Sequence, residues 1–308
     1  MKFLIKKIAV ATLALTTLVG AVSCGNVKNG SKLQTMTVTF DVDGTEKVIE
    51  FELYLNLAPG TIDHVKYLVG QGYYTDTVVS NVNGHVEFGE YYLENNEYVS
   101  KYTSGAKLSY DSVIKSYATA DKTIGTKSKR YNDDLTVNGE FDRNGIKGNT
   151  LTLSDGALVL KRNIAKDSAD DDDMFNTAKA TLAVTFGTDG YYSAADRFAV
   201  IGKVKDSDSL TEIKKFISDD FKKDENGNTY YYYDYENCTA EDNKADLEKL
   251  GHYFMKDEDG KYYYKSGSEY TLMGDEYSDI EKEFSENSKF MRILSVKTVT
   301  VKSIKLGK

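Results

Sequence analysis

VIEFELYLNLAPGTIDHVKYLVGQGYYTDTVV, residues 48–79, holds a strand, a helix and the entry to another strand, in that order. Ile49, Phe51 and Leu53 alternate with Glu50 and Glu52, the period of a half-buried strand. Ala58-Pro59-Gly60-Thr61 then opens a helix, because proline's fixed φ suits a first turn. Ile62, Val65, Leu68 and Val69 fall at helical spacing, and Gly70 and Gly72 end it. YYTDTVVSNV (73–82) resumes an extended pattern.

Upstream, TMTVTFDVDG and EKVIEFELYL alternate on either side of Asp43-Gly44, which predicts a hairpin. Downstream, Glu90 to Arg130 is polar, rich in Tyr and Ser and poorly periodic. It reads as an inserted excursion with one helix. NGEFDRNG (138–145) is turn-rich. ALVLK (157–161), TLAVTF (181–186) and RFAVIGKV (197–204) suit buried strands, and an acidic stretch, Asp167 to Asp173, lies between the first two. Asp208 to Ile217 reads as a helix capped by Ser209 or Asp208. KKDENGNTYYYYD (222–234) is echoed by MKDEDGKYYYKSG (255–267). Each has an Asn-Gly or Asp-Gly turn and then a tyrosine run, so each predicts a β-hairpin. RILSVKTVTVKSIKL (292–306) closes the order as one long or two short strands. The chain is mainly β with two helices, which suits an antiparallel barrel or sandwich.

This order of motifs resembles the cyclophilins, the peptidyl-prolyl cis-trans isomerases. The family pattern is a strand ending in Glu-Leu-Tyr, then Ala-Pro-x-Thr opening a helix, then Gly-Tyr-Tyr. It is matched by residues 48–79, and the likeness resumes at NGEFDRNGIKGNTLTLSDGALVLKR and at RFAVIGKV. The resemblance implies an eight-stranded antiparallel barrel with two capping helices. It implies one such domain over 36–308, with insertions at about 90–135 and 218–288.

The resemblance also places a groove, and this chain departs from the family there. The family's Phe-His-Arg-Val reads Val79-Ser80-Asn81-Val82, so the catalytic arginine falls on Asn81. Gly-Phe-Met-x-Gln-Gly-Gly reads Gly84-His85-Val86-Glu87-Phe88-Gly89-Glu90, so the groove glutamine falls on Phe88. Ser-Gln-Phe-Phe-Ile reads Ala180-Thr181-Leu182-Ala183-Val184, so Ala183 stands where a phenylalanine floors the proline pocket. The position often held by histidine is Phe198, and the pocket tryptophan is missing from a chain without tryptophan. Arg162 matches a family arginine other than the catalytic one. The implied groove positions are Val79, His85, Val86, Phe88, Lys161, Arg162, Thr181, Ala183 and Phe198, around Asn81.

Rotation about an X–Pro bond faces a barrier near 20 kcal/mol. An isomerase must bind the twisted bond better than either planar form. Asparagine can donate a hydrogen bond but lacks the charge that makes such bonds about twice as strong. Loss of a preorganised donor costs on the order of a hundredfold in rate. The expectation is weak or lost isomerase activity.

The N-terminus predicts where the chain works. Lys2, Lys6 and Lys7 precede an uncharged apolar run, Ile8 to Val22, and then Ala21-Val22-Ser23-Cys24. That is a secretory signal peptide, its run shorter than the roughly 20 residues a spanning helix needs. The tetrapeptide resembles a bacterial lipobox, so 1–23 is expected to be removed and Cys24 to carry lipid. Residues 24–35 then form a polar tether, and the protein is expected on the outer side of a membrane. The formal charge of −9 argues against a nucleic-acid partner. Cys238 is the other cysteine, so no intramolecular disulfide is expected once Cys24 is lipidated.

Other chemistry finds little support. His64, His85 and His252 have no metal-ligand spacing and read as surface or half-buried. Asp170 to Asp173 are adjacent and cannot all face one ion, so they read as a solvated loop. No cofactor is implied. Two functions stay open. One is a lipid-anchored isomerase-family protein assisting the folding of exported proteins or peptides. The other is a non-catalytic lipoprotein that binds a protein or glycan through its tyrosine-rich hairpins.

Overall fold

The computed structural model describes residues 32–82, 84–118, 130–140, 144, 153–162, 176–186, 200–235, 247–277, 284 and 291–307. Cys24, Cys238, Phe198 and the acidic stretch 167–173 lie outside them.

The chain is mainly β. Strands β1 (Leu33–Val42) and β2 (Thr45–Tyr54) form the expected hairpin. Asp43 and Gly44 both have positive φ, 48° and 83°, as a two-residue turn matched to strand twist requires. Six more strands complete a curled antiparallel array: β3 (Ser80–Val82), β4 (His85–Phe88), β7 (Ala157–Leu160), β8 (Leu182–Thr185), β9 (Val200–Val204) and β15 (Val299–Leu306). Their order is β3-β4-β8-β7-β9-β2-β1-β15. The chain ahead of β3 then bonds β15, through Val79 N–H to the Val299 carbonyl and Val301 N–H to the Thr77 carbonyl, each 2.8 Å. Eight strands thereby close on themselves.

The interior is apolar because alternate residues of each strand point into it. Met36, Val38, Phe40, Ile49, Phe51, Leu53, Leu158, Leu160, Leu182 and Val184 share this core. Phe40 meets the edges of Phe88 and Phe216 at 5.5 and 5.3 Å. Helix α1 (Pro59–Gly70) adds Ile62, Val65 and Leu68, and helix α3 (Ser207–Lys215) adds Ile213. The cap of α3 is Asp206 rather than Ser209 or Asp208. Its carboxylate accepts from Ser209 N–H at 2.8 Å, which sets the helix start one residue earlier than the sequence pattern suggests. Gly202 in β9 lies so close to β2 that any Cβ would collide with the Glu52 carbonyl.

The excursion after β4 folds as a two-stranded hairpin, β5 (Tyr91–Glu94) and β6 (Glu97–Ser100), followed by helix α2 (Tyr110–Ala118). Beyond α3 and the one-turn α4 (Asp219–Lys222), the tyrosine runs extend the sheet: β10 (Thr229–Tyr233), β11 (Tyr253–Lys256), β12 (Tyr262–Ser266) and β13 (Glu269–Leu272). The second repeat is the β11–β12 hairpin. The first is held to its upstream partner by the single bridge Lys223–Thr229, and β10 pairs instead with β11 and β14 (Met291–Leu294). The closing segment is thus two short strands. β14 bridges β10 to Asn81 of β3, while β15 completes the barrel.

One face of the extension has its own core: Tyr233, Leu247, Leu250, Phe254 and Phe284, with Tyr231, Tyr262 and Tyr264 packed against it. His64 and His85 are fully buried, where the sequence reads them as surface or half-buried, and His252 is half-buried.

Candidate functional site

The strands β3, β4, β7 and β8 gather most of the positions at which the resemblance places a groove. Val79, Val86 and Phe88 belong to the main core. Ala183 sits on the opposite face of the sheet, in a second apolar cluster with Tyr54, Leu153, Ala157, Val159 and Val200. His85, Arg162 and Thr181 are also buried, none of these seven more than 2 % exposed. Phe88 explains part of this. Its ring meets Phe40 and Tyr74 edge-on, so it completes the interior packing. Asn81 is described by its backbone alone: its strand register sets it opposite Val86 and Ile293. Phe198 and Cys24 lie outside the described residues.

Beside Ala183 on β8, Glu87 and Lys161 form a buried ion pair, Nζ to Oε2 2.7 Å. Glu87 lies opposite Ala183 in register, and Lys161 follows directly on β7. Two charges removed from water need each other.

The insertion covers Thr181. Tyr102 Oη lies 2.6 Å from Thr181 Oγ1 and accepts from both Ala180 N–H and Thr181 N–H at 3.0 Å. Burial pushes this phenol above the usual tyrosine range, so it stays protonated. The neighbouring Lys101 donates to the Tyr73 carbonyl and lies over the Tyr73 ring, 4.7 Å from its centroid. Burial lowers the Lys101 ammonium to about 8. Tyr110 Oη donates to the Leu135 carbonyl at 2.7 Å. Lys101 and Tyr102 therefore fasten the insertion to the barrel, and Tyr110 ties α2 to the insertion's own far end.

Helix α1 has no cap of its own at Ala58. Glu140, from the turn-rich NGEF segment, accepts from Gly60 N–H at 3.0 Å and Thr61 N–H at 2.6 Å. A carboxylate suits the positive end of a helix. Arg162 Nη1 donates to the Val137 carbonyl at 3.2 Å. Burial lowers this guanidinium to about 9, opposed by Glu140, so it remains charged at neutral pH. His64 Nε2 lies 2.6 Å from the Lys179 carbonyl and must carry the hydrogen, which leaves Nδ1 to accept from Tyr131 Oη at 2.9 Å. Burial holds this imidazole down at about 4, so it is neutral. These groups are structural: each is spent on backbone or a neighbouring side chain.

The tyrosine extension repeats one arrangement twice. Asp224 accepts from the Asn226 and Asn228 amides and, at 2.9 Å, from Tyr230 Oη. Asp257 accepts from the Lys261 amide and, at 2.9 Å, from Tyr263 Oη. A shallow depression beside the first unit carries Asp219, Asp220 and Glu225 with Lys223 and Lys297. Among the described residues, no group of three or more His, Cys, Asp or Glu is placed to hold a metal ion.

Nothing local in the sequence marks Tyr102 or Glu87, and the turn-rich NGEF segment is the one local hint of Glu140.

No family model and no curated protein sequence matches the chain. Its structural neighbours include a cyclophilin-type peptidyl-prolyl cis-trans isomerase of Cryptosporidium parvum, at 15 % identity and a TM-score of 0.36. That match covers 64 % of this chain and 90 % of the other. A crystal structure of that isomerase obtained in the presence of the dipeptide Ala-Pro matches at 16 % identity and a TM-score of 0.35, over 60 % of this chain and 88 % of the other.

Proposed function

We propose that this chain is an exported, lipid-anchored, divergent member of the cyclophilin type that works by binding, with little or no isomerase activity. The observation that carries this is the burial around Thr181. The family position that would help line an open groove is covered by Tyr102, and Phe88 and Ala183 are packed away. A proline peptide needs an exposed apolar slot and a charged donor. The sequence offers Asn81 for the donor and neither the floor phenylalanine nor the tryptophan for the slot. Exported proteins, peptides or glycans remain the partner classes. Any help to a folding client would come from holding it rather than from turning its prolyl bonds.

The test is a prolyl isomerisation assay on the purified chain, with Asn81→Arg beside it. Neither protein is expected to exceed the uncatalysed rate. A wild-type rate within about tenfold of ordinary cyclophilins would overturn the reading, since the lost donor alone costs more than that. Anchoring is tested by metabolic lipid labelling, which Cys24→Ala should abolish.

A further inference from the structure

The two Asp–Tyr units of the extension are related by translation. Tyr230 pairs with Met255, Met255 with Tyr263 and Tyr263 with Leu272, while Tyr230 also pairs with Leu294. Directly opposed residues of antiparallel strands share a face. Leu294, Tyr230, Met255, Tyr263 and Leu272 therefore make one apolar stripe running across five strands. At about 4.8 Å per strand it is roughly 19 Å long, and its two tyrosines stand about 10 Å apart. Tyr263 and Leu272 lie toward the free edge of the sheet, and Leu272 is 52 % exposed. The other face of the extension is filled by Phe254, Tyr233 and Phe284, and beside the stripe on its own face the β5–β6 hairpin packs on Tyr232 and Tyr253.

Along one side of the stripe, each phenol is tied to a carboxylate by the same spacing: Asp224 to Tyr230 and Asp257 to Tyr263, six residues apart in both cases. Hydrogen bonds this near the surface add little to stability. Turn geometry alone needs the aspartates but not the phenols, because the Asn228 and Lys261 amides already bond them. Each carboxylate can accept further hydrogen bonds, as can each phenol oxygen. What recurs is thus a tyrosine with acceptors at its rim, placed twice on one face two strands apart, the Tyr230 ring also meeting Tyr270 at 5.5 Å.

We propose that this stripe binds a linear β-linked polysaccharide lying across the strands. The C–H face of a sugar ring stacks on tyrosine, and its hydroxyls donate to the aspartates and phenols. A chain in which every second sugar turns the same face would bring that face to Tyr230 and to Tyr263, two strands away. An extended peptide also has a repeat, but a shorter one, set by about 3.3 Å per residue. The proposal deepens the reading of the chain as a binding protein. The isomerase assay tests that reading separately, so the two can fail apart.

The experiment is titration calorimetry of the full chain in detergent with cellohexaose and chitohexaose. At least one is expected to bind, and its disaccharide to bind at least tenfold more weakly, because it spans one unit rather than two. Tyr230→Ala and Tyr263→Ala should each weaken the hexaose roughly tenfold, while Tyr263→Phe, which keeps the ring, should stay within about threefold. Leu272→Glu, at an exposed position on the edge strand, should weaken it as well. Absence of hexaose binding at about 10 mM would overturn the proposal. So would binding that Leu272→Glu and both alanine variants leave unchanged, or binding at this stripe by a peptide in place of either sugar.

Discussion

Tyr102 of the insertion and Thr181 of the barrel share a hydrogen bond of 2.6 Å, and the same phenol receives two consecutive backbone amides of the barrel. One oxygen thus serves Ala180 N–H, Thr181 N–H and Thr181 Oγ1. Tyr102→Phe keeps the ring and removes the oxygen that all three groups share. Buried donors left unmatched cost about 1–3 kcal/mol each. The variant should lose roughly 3 kcal/mol by urea unfolding and expose the 90–118 segment to protease at lower urea. An unchanged midpoint would show that the insertion is held by packing alone.

The Glu87–Lys161 pair predicts an asymmetry between single and double variants. Lys161→Met leaves a carboxylate that is 1 % exposed without its cation, and Glu87→Leu leaves the reverse. Either should cost about 3–5 kcal/mol. The double variant should recover most of that, since an apolar pair of similar volume often replaces a buried ion pair at little cost. Additive losses in the double-mutant cycle would mean the two charges are not coupled.

His64 gives the fold an acid-sensitive element. Its imidazole titrates near 6.5 when unfolded and at about 4 when folded, because burial disfavours the cation. Between those values the unfolded chain takes up a proton that the folded chain refuses. Stability from this group is therefore whole above pH 6.5 and is lost as pH falls toward 4, by about 3 kcal/mol. His64→Gln should be less stable at pH 7 yet show a flatter decline between pH 7 and 4. An identical pH dependence in the variant would place the sensitivity elsewhere.

Glu140→Ala removes the acceptor of Gly60 and Thr61 at the start of α1 and the charge that balances Arg162. A lost cap alone costs about 1 kcal/mol, and loss of the carboxylate charge near the buried Arg162 guanidinium adds to it. A loss of about 3 kcal/mol is expected in denaturant unfolding. Glu140→Gln, which keeps one acceptor, should cost less; equal losses would argue that charge rather than hydrogen bonding matters.

Local signals made the barrel readable. The alternation through β1 and β2, the Asp43-Gly44 turn and the proline opening α1 each act within a few residues, and all lie where they were expected. The exposed or buried state of the groove positions was not readable in this way. Phe88 looks from sequence like a replacement on a groove wall, and only its contacts with Phe40 and Tyr74 show it completing the core. The partners of Glu140, Glu87 and Tyr102 lie some 70 to 80 residues away along the chain, so no spacing rule connects them. His64 reads from sequence as surface or half-buried, since nothing local marks its partners Tyr131 and Lys179. In the structure Gly60, Thr61 and His64 are buried beside Ile62, Val65 and Leu68, so the hidden face of α1 is wide.

The pairing of the first strand with the last has a kinetic meaning. Met36 meets Leu306 and Val42 meets Val299, and β14, just ahead of β15, also holds the tyrosine sheet to β3. A chain delivered N-terminus first can therefore form the β1–β2 hairpin and α1 early, but neither the barrel nor its tyrosine extension is finished until residues 291–306 arrive. Contacts of such long sequence separation make folding slow. During that interval β1, β3 and β10 present open edges, which are templates for pairing with other chains. The late arrival of β14 and β15 thus sets the period in which this protein itself is most in need of a chaperone.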